Sequence, residues 1–214
     1  MAQRVRVAVV GHRGTLGKVV ARRWAERGAA IATTDLRYQA KADDPLVTWA
    51  AEADLVVNCA RGSFLVDALL PLHLGERSRL IQPSTDALQE DTPYALAKRI
   101  AERARALIIR TSLIGSDPPP PVGYTTWTWN GITTLAWADF AWAHREETGV
   151  LTPASDAISR YDLYCAVAET FGHAPPQPLA TARRDRLLPP THHLGPIQVQ
   201  LLELREWSRR QDMT

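Results

Sequence analysis

The sequence predicts an α/β fold in which a doubly wound parallel sheet is followed by a small C-terminal α/β subdomain. In the first 115 residues, short β-branched runs alternate with apolar residues at helical spacing, which is typical of stacked β-α units. Three glycines follow the first run, where such sheets have a tight strand-to-helix turn. The pattern breaks at SDPPPP (116–121), because consecutive prolines fit neither a helix nor a sheet ladder. We therefore divide the chain into 1–115 and 116–214.

Five strands are predicted in the first region from their β-branched composition. They are VRVAVV (5–10), AAIATTD (29–35), DLVVNCA (54–60), RLIQPSTD (79–86) and ALIIRTSLIG (106–115). Helical spacing of apolar residues predicts the intervening helices. They are the segment from Leu16 to Gly28, PLVTWAAEA (45–53), SFLVDALLPLHL (63–74) and TPYALAKRIAERAR (92–105). The order of strands and helices favours the Rossmann arrangement.

The second region is predicted to contain further helices and a short strand. The helices are ITTLAWADFAWAHREE (132–147), SRYDLYCAVAETFG (159–172) and IQVQLLELREWSRR (197–210), and the strand is GVLTPAS (149–155). Together these elements predict a second, smaller α/β unit.

Composition excludes several classes of protein. A net charge of +2 gives little electrostatic attraction to nucleic acid or to an anionic membrane. No apolar run approaches the roughly 20 residues of a membrane span, and the N-terminus lacks the pattern of a signal peptide, so we expect a cytoplasmic protein. Cys59 and Cys165 have no partner at metal-ligand spacing, the histidines show no such spacing either, and we expect no metal.

The glycines Gly11, Gly14 and Gly17 are spaced as G-x-x-G-x-x-G between a predicted strand and a helix. Such a turn lets a pyrophosphate approach the backbone at the N-terminus of the helix, so the pattern predicts a dinucleotide-binding site. Asp35 ends the second strand, where its carboxylate can accept hydrogen bonds from an adenosine ribose. The residues expected at this part of the site are Gly11, His12, Arg13, Gly14, Thr15, Leu16, Gly17, Asp35, Leu36 and Arg37.

The type of dinucleotide is left open by the residues. Asp35 favours NAD because its carboxylate repels a 2′-phosphate, whereas Arg13 and Arg37 lie where guanidinium groups can bind the 2′-phosphate of NADP. We therefore expect NADP or NAD as the cofactor.

Tyr94 and Lys98 are four residues apart on a predicted helix, so their side chains share one face. The pKa of a phenol is about 10, and a nearby ammonium stabilises the phenolate and lowers that pKa toward the working range. Tyr94 therefore suits the role of a proton donor, and Lys98 that of a group that lowers its pKa. Ser84 and Thr85 end the strand before this helix, and either hydroxyl could hydrogen-bond a carbonyl that is being reduced.

These segments resemble the extended short-chain dehydrogenase/reductases, and more narrowly the dTDP-4-dehydrorhamnose reductase family of sugar-nucleotide enzymes. The segments that carry the resemblance are VVGHRGTLG, DLVVNCA, PSTD, PYALAKRIAE and LIIRTSLIG, in the order of the family. The resemblance implies Tyr94 as proton donor, Lys98 as cofactor anchor and Thr85, with Ser84 beside it, as the group that polarises the carbonyl. It also implies that Asn58, Cys59 and Ala60 run alongside the nicotinamide ribose.

The second region is similar to the substrate-side segments of that family, which implies a substrate-binding role for 116–214. The residues expected to bind substrate are Asp86, Trp127, Trp129 and Asn130. The sequence leaves two interpretations of the tryptophans open: they pack in the core, or they form a stacking platform for a base or sugar. The chain is shorter than the family between Ala60 and Ser84 and between Asp86 and Tyr94, and it has Ala87 in place of an aromatic residue. A lid or a second subunit of a homodimer would then be needed to exclude water.

Three functions are compatible with these residues. The leading hypothesis is an NAD(P)-dependent reductase acting on a keto group of a nucleotide-activated deoxysugar. A nucleotide-sugar epimerase or dehydratase is the second, because Glu90 and Asp91 lie close to Tyr94 in the sequence. A non-catalytic NAD(P)-binding sensor or scaffold is the third, because the substrate side is short.

Overall fold

The structure is a computed structural model that describes residues 4–33, 52–60, 79–88, 90, 92–102, 105–182 and 184–213. In chain order the elements of these residues are β1 (Arg6–Val10), α1 (Thr15–Glu26), β2 (Ala30–Thr33), β3 (Leu55–Asn58), β4 (Arg79–Ser84), α2 (Pro93–Ala101), β5 (Leu107–Arg110), β6 (Leu113–Ile114), β7 (Val122–Tyr124), β8 (Trp127–Trp129), β9 (Ile132–Thr133), α3 (Thr134–Ala143), β10 (Gly149–Leu151), β11 (Pro153–Ala154), β12 (Ile158–Ser159), α4 (Arg160–Phe171), β13 (Gln177–Leu179), β14 (Arg184–Arg186), β15 (His192–His193) and α5 (Ile197–Asp212). The predicted helices at 45–53 and 63–74 lie almost wholly outside the described residues.

The main sheet of the described residues has six strands in the order β10-β5-β4-β3-β1-β2, and all neighbouring pairs are parallel. The chain runs outward from β1 in one direction to β2 and in the other to β3, β4 and β5. Because crossovers between parallel strands are right-handed, this reversal puts connections on both faces of the sheet. The predicted α/β, doubly wound Rossmann fold is confirmed.

The chain divides into two units that differ from the division at residue 115. The first unit comprises Met1–Arg110 and Ala138–Leu151, and the second comprises Thr111–Trp137 and Thr152–Thr214. The predicted short strand at residue 149 belongs to the main sheet, where Val150 pairs with Ile108 of β5. Five strands were expected in this sheet, and the sixth comes from beyond the proline segment.

The core of the first unit follows from the composition of its strands. All four residues of β3 are buried, as are Val7, Ala8, Val9 and Val10 of β1, because strands covered on both faces need continuous apolar runs. On α1, Val20 and Trp24 are fully buried. The indole N–H of Trp24 donates to the carbonyl of Ala138 at 2.9 Å, which ties α1 to the returning segment.

The second unit is built around α4 and α5. Its core is formed by the buried side chains Trp129, Leu163, Val167, Ile197 and Leu201. The hydroxyl of Ser159 caps α4 by accepting the N–H of Asp162 at 3.0 Å, and Gly172 ends that helix at φ +74°. None of the described helices combines the length and the apolar composition that a bilayer crossing requires.

Candidate active site

The glycine turn after β1 is shaped by close approaches of backbone to backbone. Gly11 has φ +77°, and a Cβ on it would lie 2.6 Å from the Cα atom of Ala60. A Cβ on Gly17 would lie 2.3 Å from the carbonyl oxygen of Gly11. Among the described residues, a Cβ on Gly14 would come within 4 Å of that same oxygen alone, at 3.4 Å. The first and third glycines are therefore needed for the turn itself, whereas the described residues leave space beside the middle glycine.

Helix α1 begins at this turn without a side-chain cap. Gly14 is its N-cap residue and supplies no hydrogen-bonding side chain, and the first turn contains no acidic residue. Uncapped N–H groups and the positive end of the helix dipole attract an anion. The open side of Gly14 and this helix end fit a dinucleotide pyrophosphate. Of the residues expected here, Asp35, Leu36 and Arg37 lie outside the described residues.

The end of β3 packs against the glycine turn. Asn58 is fully buried, and its side-chain oxygen accepts the N–H of Ala60 at 3.2 Å. The N–H of Cys59 donates to the carbonyl of Val10 at 2.8 Å. Burial raises the pKa of the Cys59 thiol to about 12, although the positive charge of Lys98 acts in the opposite direction. Cys59 is therefore a neutral thiol next to the turn.

The end of β4 holds Ser84, Thr85 and Asp86. The Ser84 hydroxyl donates to a carboxylate oxygen of Glu102 at 2.6 Å. The Thr85 hydroxyl accepts the N–H of Ala87 at 3.1 Å and donates to Asp86 at 3.3 Å. The second carboxylate oxygen of Asp86 is buried and has no hydrogen-bond partner among the described residues. Ser84 is thus directed to Glu102, whereas Thr85 and Asp86 interact with each other.

Helix α2 presents Tyr94 and Lys98 side by side, as their spacing predicts. The ammonium nitrogen of Lys98 lies 5.7 Å from the centroid of the Tyr94 ring. Lys98 is buried, with 3% of its surface exposed, whereas 43% of Tyr94 is exposed. The helix begins as expected from the sequence, because the Thr92 hydroxyl accepts the N–H of Ala95 at 3.1 Å and Pro93 follows at the first position.

Parallel pairing brings several of these residues to one edge of the sheet. Val10 is in register with Asn58, so the glycine turn and Cys59 leave their strands at the same level. Ser84 ends the neighbouring strand β4 on the same edge, since β3 and β4 are also parallel. The carboxyl edge of a doubly wound sheet, at the point where strand order reverses, is where such folds bind ligands.

Of the residues predicted to bind substrate, Asp86 lies in the first unit, whereas Trp127, Trp129 and Asn130 lie in the second. These three mostly contact other residues of the second unit. Trp129 is fully buried in the core, which is the first of its two interpretations. Asn130 donates to the carbonyl of Leu188 and accepts its N–H, at 2.9 and 3.1 Å. Trp127 is half-buried, and its ring stacks on Tyr124 with centroids 4.2 Å apart. Because Trp129 is buried in the core, it does not support the interpretation as a stacking platform for a base.

A cleft of about 260 Å³ opens at the opposite, amino edge of the main sheet. Several of its charged side chains are paired: Arg79 forms an ion pair with Glu146, and Asp54 accepts hydrogen bonds from Arg6. This cleft contains none of the residues predicted for chemistry. The candidate active site is therefore the carboxyl edge, and this cleft lies at the opposite edge.

Comparisons with known proteins identify the fold of the chain. No protein-family model matches the sequence, and no curated protein matches it as a relative. Among solved structures, the dTDP-4-dehydrorhamnose reductase of Bacillus anthracis in complex with NADP superposes with a TM-score of 0.78 at 13% identity, covering 95% of this chain and 98% of that one. The chain has the fold of the sugar-nucleotide reductases.

Two further structures show how widely this fold is shared. The dTDP-4-dehydrorhamnose reductase of Clostridium acetobutylicum has a TM-score of 0.74 at 14% identity, with 96% of this chain and 100% of that chain covered. The UDP-glucose 4-epimerase of Thermus thermophilus in complex with NAD has a TM-score of 0.71 at 16% identity, with 96% and 99% covered. The predicted resemblance to dTDP-4-dehydrorhamnose reductases is confirmed for the fold, and it extends over both units.

Two residues at the candidate site were not found from the sequence. Glu102 receives the hydroxyl of Ser84, and Arg110 donates two hydrogen bonds to the same carboxylate. The available signal was weak: Glu102 follows Lys98 by one helical turn, and Arg110 is a charged residue at the end of the apolar strand β5.

Proposed function

We propose that the protein is an NAD(P)-dependent reductase that acts on a keto group of a nucleotide-activated deoxysugar. The observation that carries the proposal is the pairing of Tyr94 with the buried ammonium of Lys98, whose nitrogen lies 5.7 Å from the ring centroid. The charge of Lys98 also lowers the pKa of Cys59 at the end of β3, which supports a place for the pair at the edge of the sheet that carries the glycine turn. A proton donor beside a dinucleotide would use such a pair.

The cofactor would be held by the glycine turn and the N-terminus of α1. Gly14 leaves room for the pyrophosphate, and Asn58, Cys59 and Ala60 would run beside the nicotinamide ribose, with Lys98 as anchor. Asp35 and Arg37 would decide between NAD and NADP. When bound, the nicotinamide supplies the hydride that reduces the carbonyl carbon.

Tyr94 would donate its phenolic proton to the carbonyl oxygen as that oxygen gains negative charge. Lys98 would stabilise the phenolate that remains, because its buried ammonium lies 5.7 Å from the centroid of the ring. Thr85 would orient the carbonyl by turning its hydroxyl proton away from Asp86 toward the substrate, while the N–H of Ala87 keeps the oxygen in place. Ser84 is left out of this step because its proton is directed to Glu102.

The substrate side of the proposal depends on Asp86 and on the second unit. The unpartnered oxygen of Asp86 is suited to accept a hydroxyl of the sugar, since a buried carboxylate oxygen gains from a hydrogen bond. Trp127 is the member of the predicted aromatic pair that is only half-buried, so we retain it as a substrate contact. The reductases and the epimerase with this fold are named for nucleotide-sugar substrates, which supports that substrate class.

Replacing Tyr94 by Phe tests the proposal. We expect kcat for NADPH-dependent reduction of a keto-sugar nucleotide to fall by about 100- to 10,000-fold, the usual contribution of a general acid, because only the phenolic proton is removed. The dissociation constant of NADPH, followed by fluorescence, should change little. The matched control is Tyr164→Phe on α4, a partly buried tyrosine to which we assign no role.

Reduction and the alternative reactions are separated by the stoichiometry of the cofactor. A reductase consumes one NADPH for each keto-sugar converted, whereas an epimerase or dehydratase regenerates its cofactor in every cycle. Conversion of a nucleotide-sugar without net consumption would contradict the proposal and favour the second function. Binding of dinucleotide with no conversion of any nucleotide-sugar would favour a sensor.

A further inference from the structure

A partly buried hydrogen-bond network lies next to the candidate site. The Ser84 hydroxyl donates to one carboxylate oxygen of Glu102 at 2.6 Å. Arg110 donates to both oxygens of that carboxylate, at 3.0 Å from its Nε atom and 2.6 Å from its Nη2 atom. The side chains of Glu102 and Arg110 are only 12% and 30% exposed. A two-point guanidinium contact and a short bond from a hydroxyl are strong and directional.

The network joins the ends of three elements. Ser84 is the last residue of β4, Glu102 follows the last residue of α2, and Arg110 is the last residue of β5. Two of these elements carry the groups to which we assign chemistry. Thr85 is the residue after Ser84, and Glu102 lies one helical turn beyond Lys98, which itself lies one turn beyond Tyr94.

We infer that Glu102 is a positioning residue that fixes Thr85 relative to Tyr94 and Lys98. Its carboxylate holds the Ser84 hydroxyl and so sets the backbone from which Thr85 projects, while Arg110 neutralises the carboxylate and fixes its orientation. This inference rests on the proposed function, because Thr85 and Tyr94 must reach the same carbonyl oxygen. A misplacement of about 1 Å between such groups can cost about 100-fold in rate.

The structure also explains why the network contains a charge. A partly buried carboxylate costs free energy unless it is paired, so burying Glu102 and Arg110 is a poor way to gain stability alone. A carboxylate with two oxygens, however, can hold Arg110 and Ser84 at once, which no apolar side chain can do. The ion pair of Glu102 and Arg110 therefore serves to fix the geometry at the end of β4.

Two variants test the inference, with a matched control at the other edge of the sheet. Ser84→Ala removes the hydroxyl and leaves the ion pair, and Glu102→Gln removes the charge. The control is Asp54→Asn at the start of β3, because Asp54 is also held by several hydrogen bonds from one arginine, Arg6, but far along the strands from the glycine turn.

We expect Ser84→Ala and Glu102→Gln to lower kcat by about 10- to 100-fold while the KM for NADPH stays within about twofold. Both variants should also speed amide hydrogen exchange at Ala87, whose N–H is bonded to Thr85. Asp54→Asn should change neither kcat nor the rate of amide exchange at Ala87. The double variant should lose no more kcat than the worse single variant, because both act through one contact.

A variant that lowers thermal stability but keeps the kcat and the Ala87 exchange of the unaltered protein would overturn the inference, and so would additive losses in the double variant. Failure of the proposed function is a different result. If the unaltered protein reduces no keto-sugar nucleotide, that proposal falls, while exchange at Ala87 still decides whether Glu102 and Ser84 hold the end of β4. Unchanged exchange in both variants would then reject the positioning role.

Discussion

Individual residues at the carboxyl edge are constrained for different physical reasons. Gly11 needs both a left-handed φ and the space beside Ala60, whereas Gly17 needs only space below the carbonyl of Gly11. Ser84 and Thr85 are adjacent hydroxyls, yet one is bonded to a buried carboxylate and the other forms a local turn with Ala87. Adjacent residues of the same chemical type therefore have different roles here.

The Cys59 thiol provides a test of how one residue is affected by its surroundings. Its native pKa of about 12 lies above the value of about 8.5 for a cysteine in an unfolded chain, so folding favours the protonated thiol. Stability from this difference is fully present below about pH 8.5 and is lost as the pH rises toward 12. In a Cys165→Ser variant at pH 8.5, we expect iodoacetamide to modify native Cys59 at least about 100-fold more slowly than the urea-unfolded chain. Equal rates measured by mass spectrometry would contradict the raised pKa.

At the scale of elements, α2 is anchored at its start and along its length. Thr92 caps it, Pro93 fixes its first turn, and Arg99 donates to the carbonyls of Leu88 and Glu90 in the preceding segment. These contacts hold the helix against the chain that leaves β4. The orientation of the Tyr94 ring therefore depends on residues that carry no chemistry themselves.

Removing the cap of α2 should affect both stability and turnover. We expect Thr92→Ala to lower the free energy of unfolding by about 1 kcal/mol, because the N–H of Ala95 loses its acceptor. Fraying of the first turn should also lower kcat, since Tyr94 is the second residue of the helix. The control is Ser159→Ala, which removes the same kind of cap from α4. Denaturant unfolding and kinetics should give similar losses of stability for both variants and a lower kcat for Thr92→Ala alone.

At the scale of the whole molecule, the first unit is made from two separate stretches of chain. Residues 138–151 supply β10, which pairs with the outer edge of β5. They also supply Asp139, which receives two hydrogen bonds from Arg23 of α1 at 2.8 and 3.1 Å. The sheet that carries the candidate site is therefore incomplete without residues that follow the proline segment.

A fragment of residues 1–115 tests this dependence. It would expose β5 as an unpaired edge strand and leave the buried indole N–H of Trp24 without the carbonyl of Ala138. We expect the fragment to aggregate in size-exclusion chromatography under conditions in which the full chain does not. A monomeric fragment with a cooperative thermal transition would show instead that 1–115 is a complete folding unit.

Much of this fold could be predicted because its signals are local. Thr92 and Pro93 indicate the start of α2, and short apolar runs indicate the buried strands. Contacts between residues that are far apart in the sequence had no such signal. The strand at 149–151 was predicted, but its partner β5 lies about 40 residues earlier, and periodicity does not identify partners. Trp129 looked like its half-buried neighbour Trp127 because sequence spacing does not distinguish the core of the second unit from its surface.

The division of the first unit also affects how the protein is made. Ribosomes add about 5–20 residues per second, so β10 leaves the exit tunnel about 2–8 s after β5. During that interval the nascent chain carries an unpaired strand edge, while the intervening residues 111–148 emerge. Chaperones that recognise exposed β-strand edges would meet the chain in this window, before its main sheet is complete.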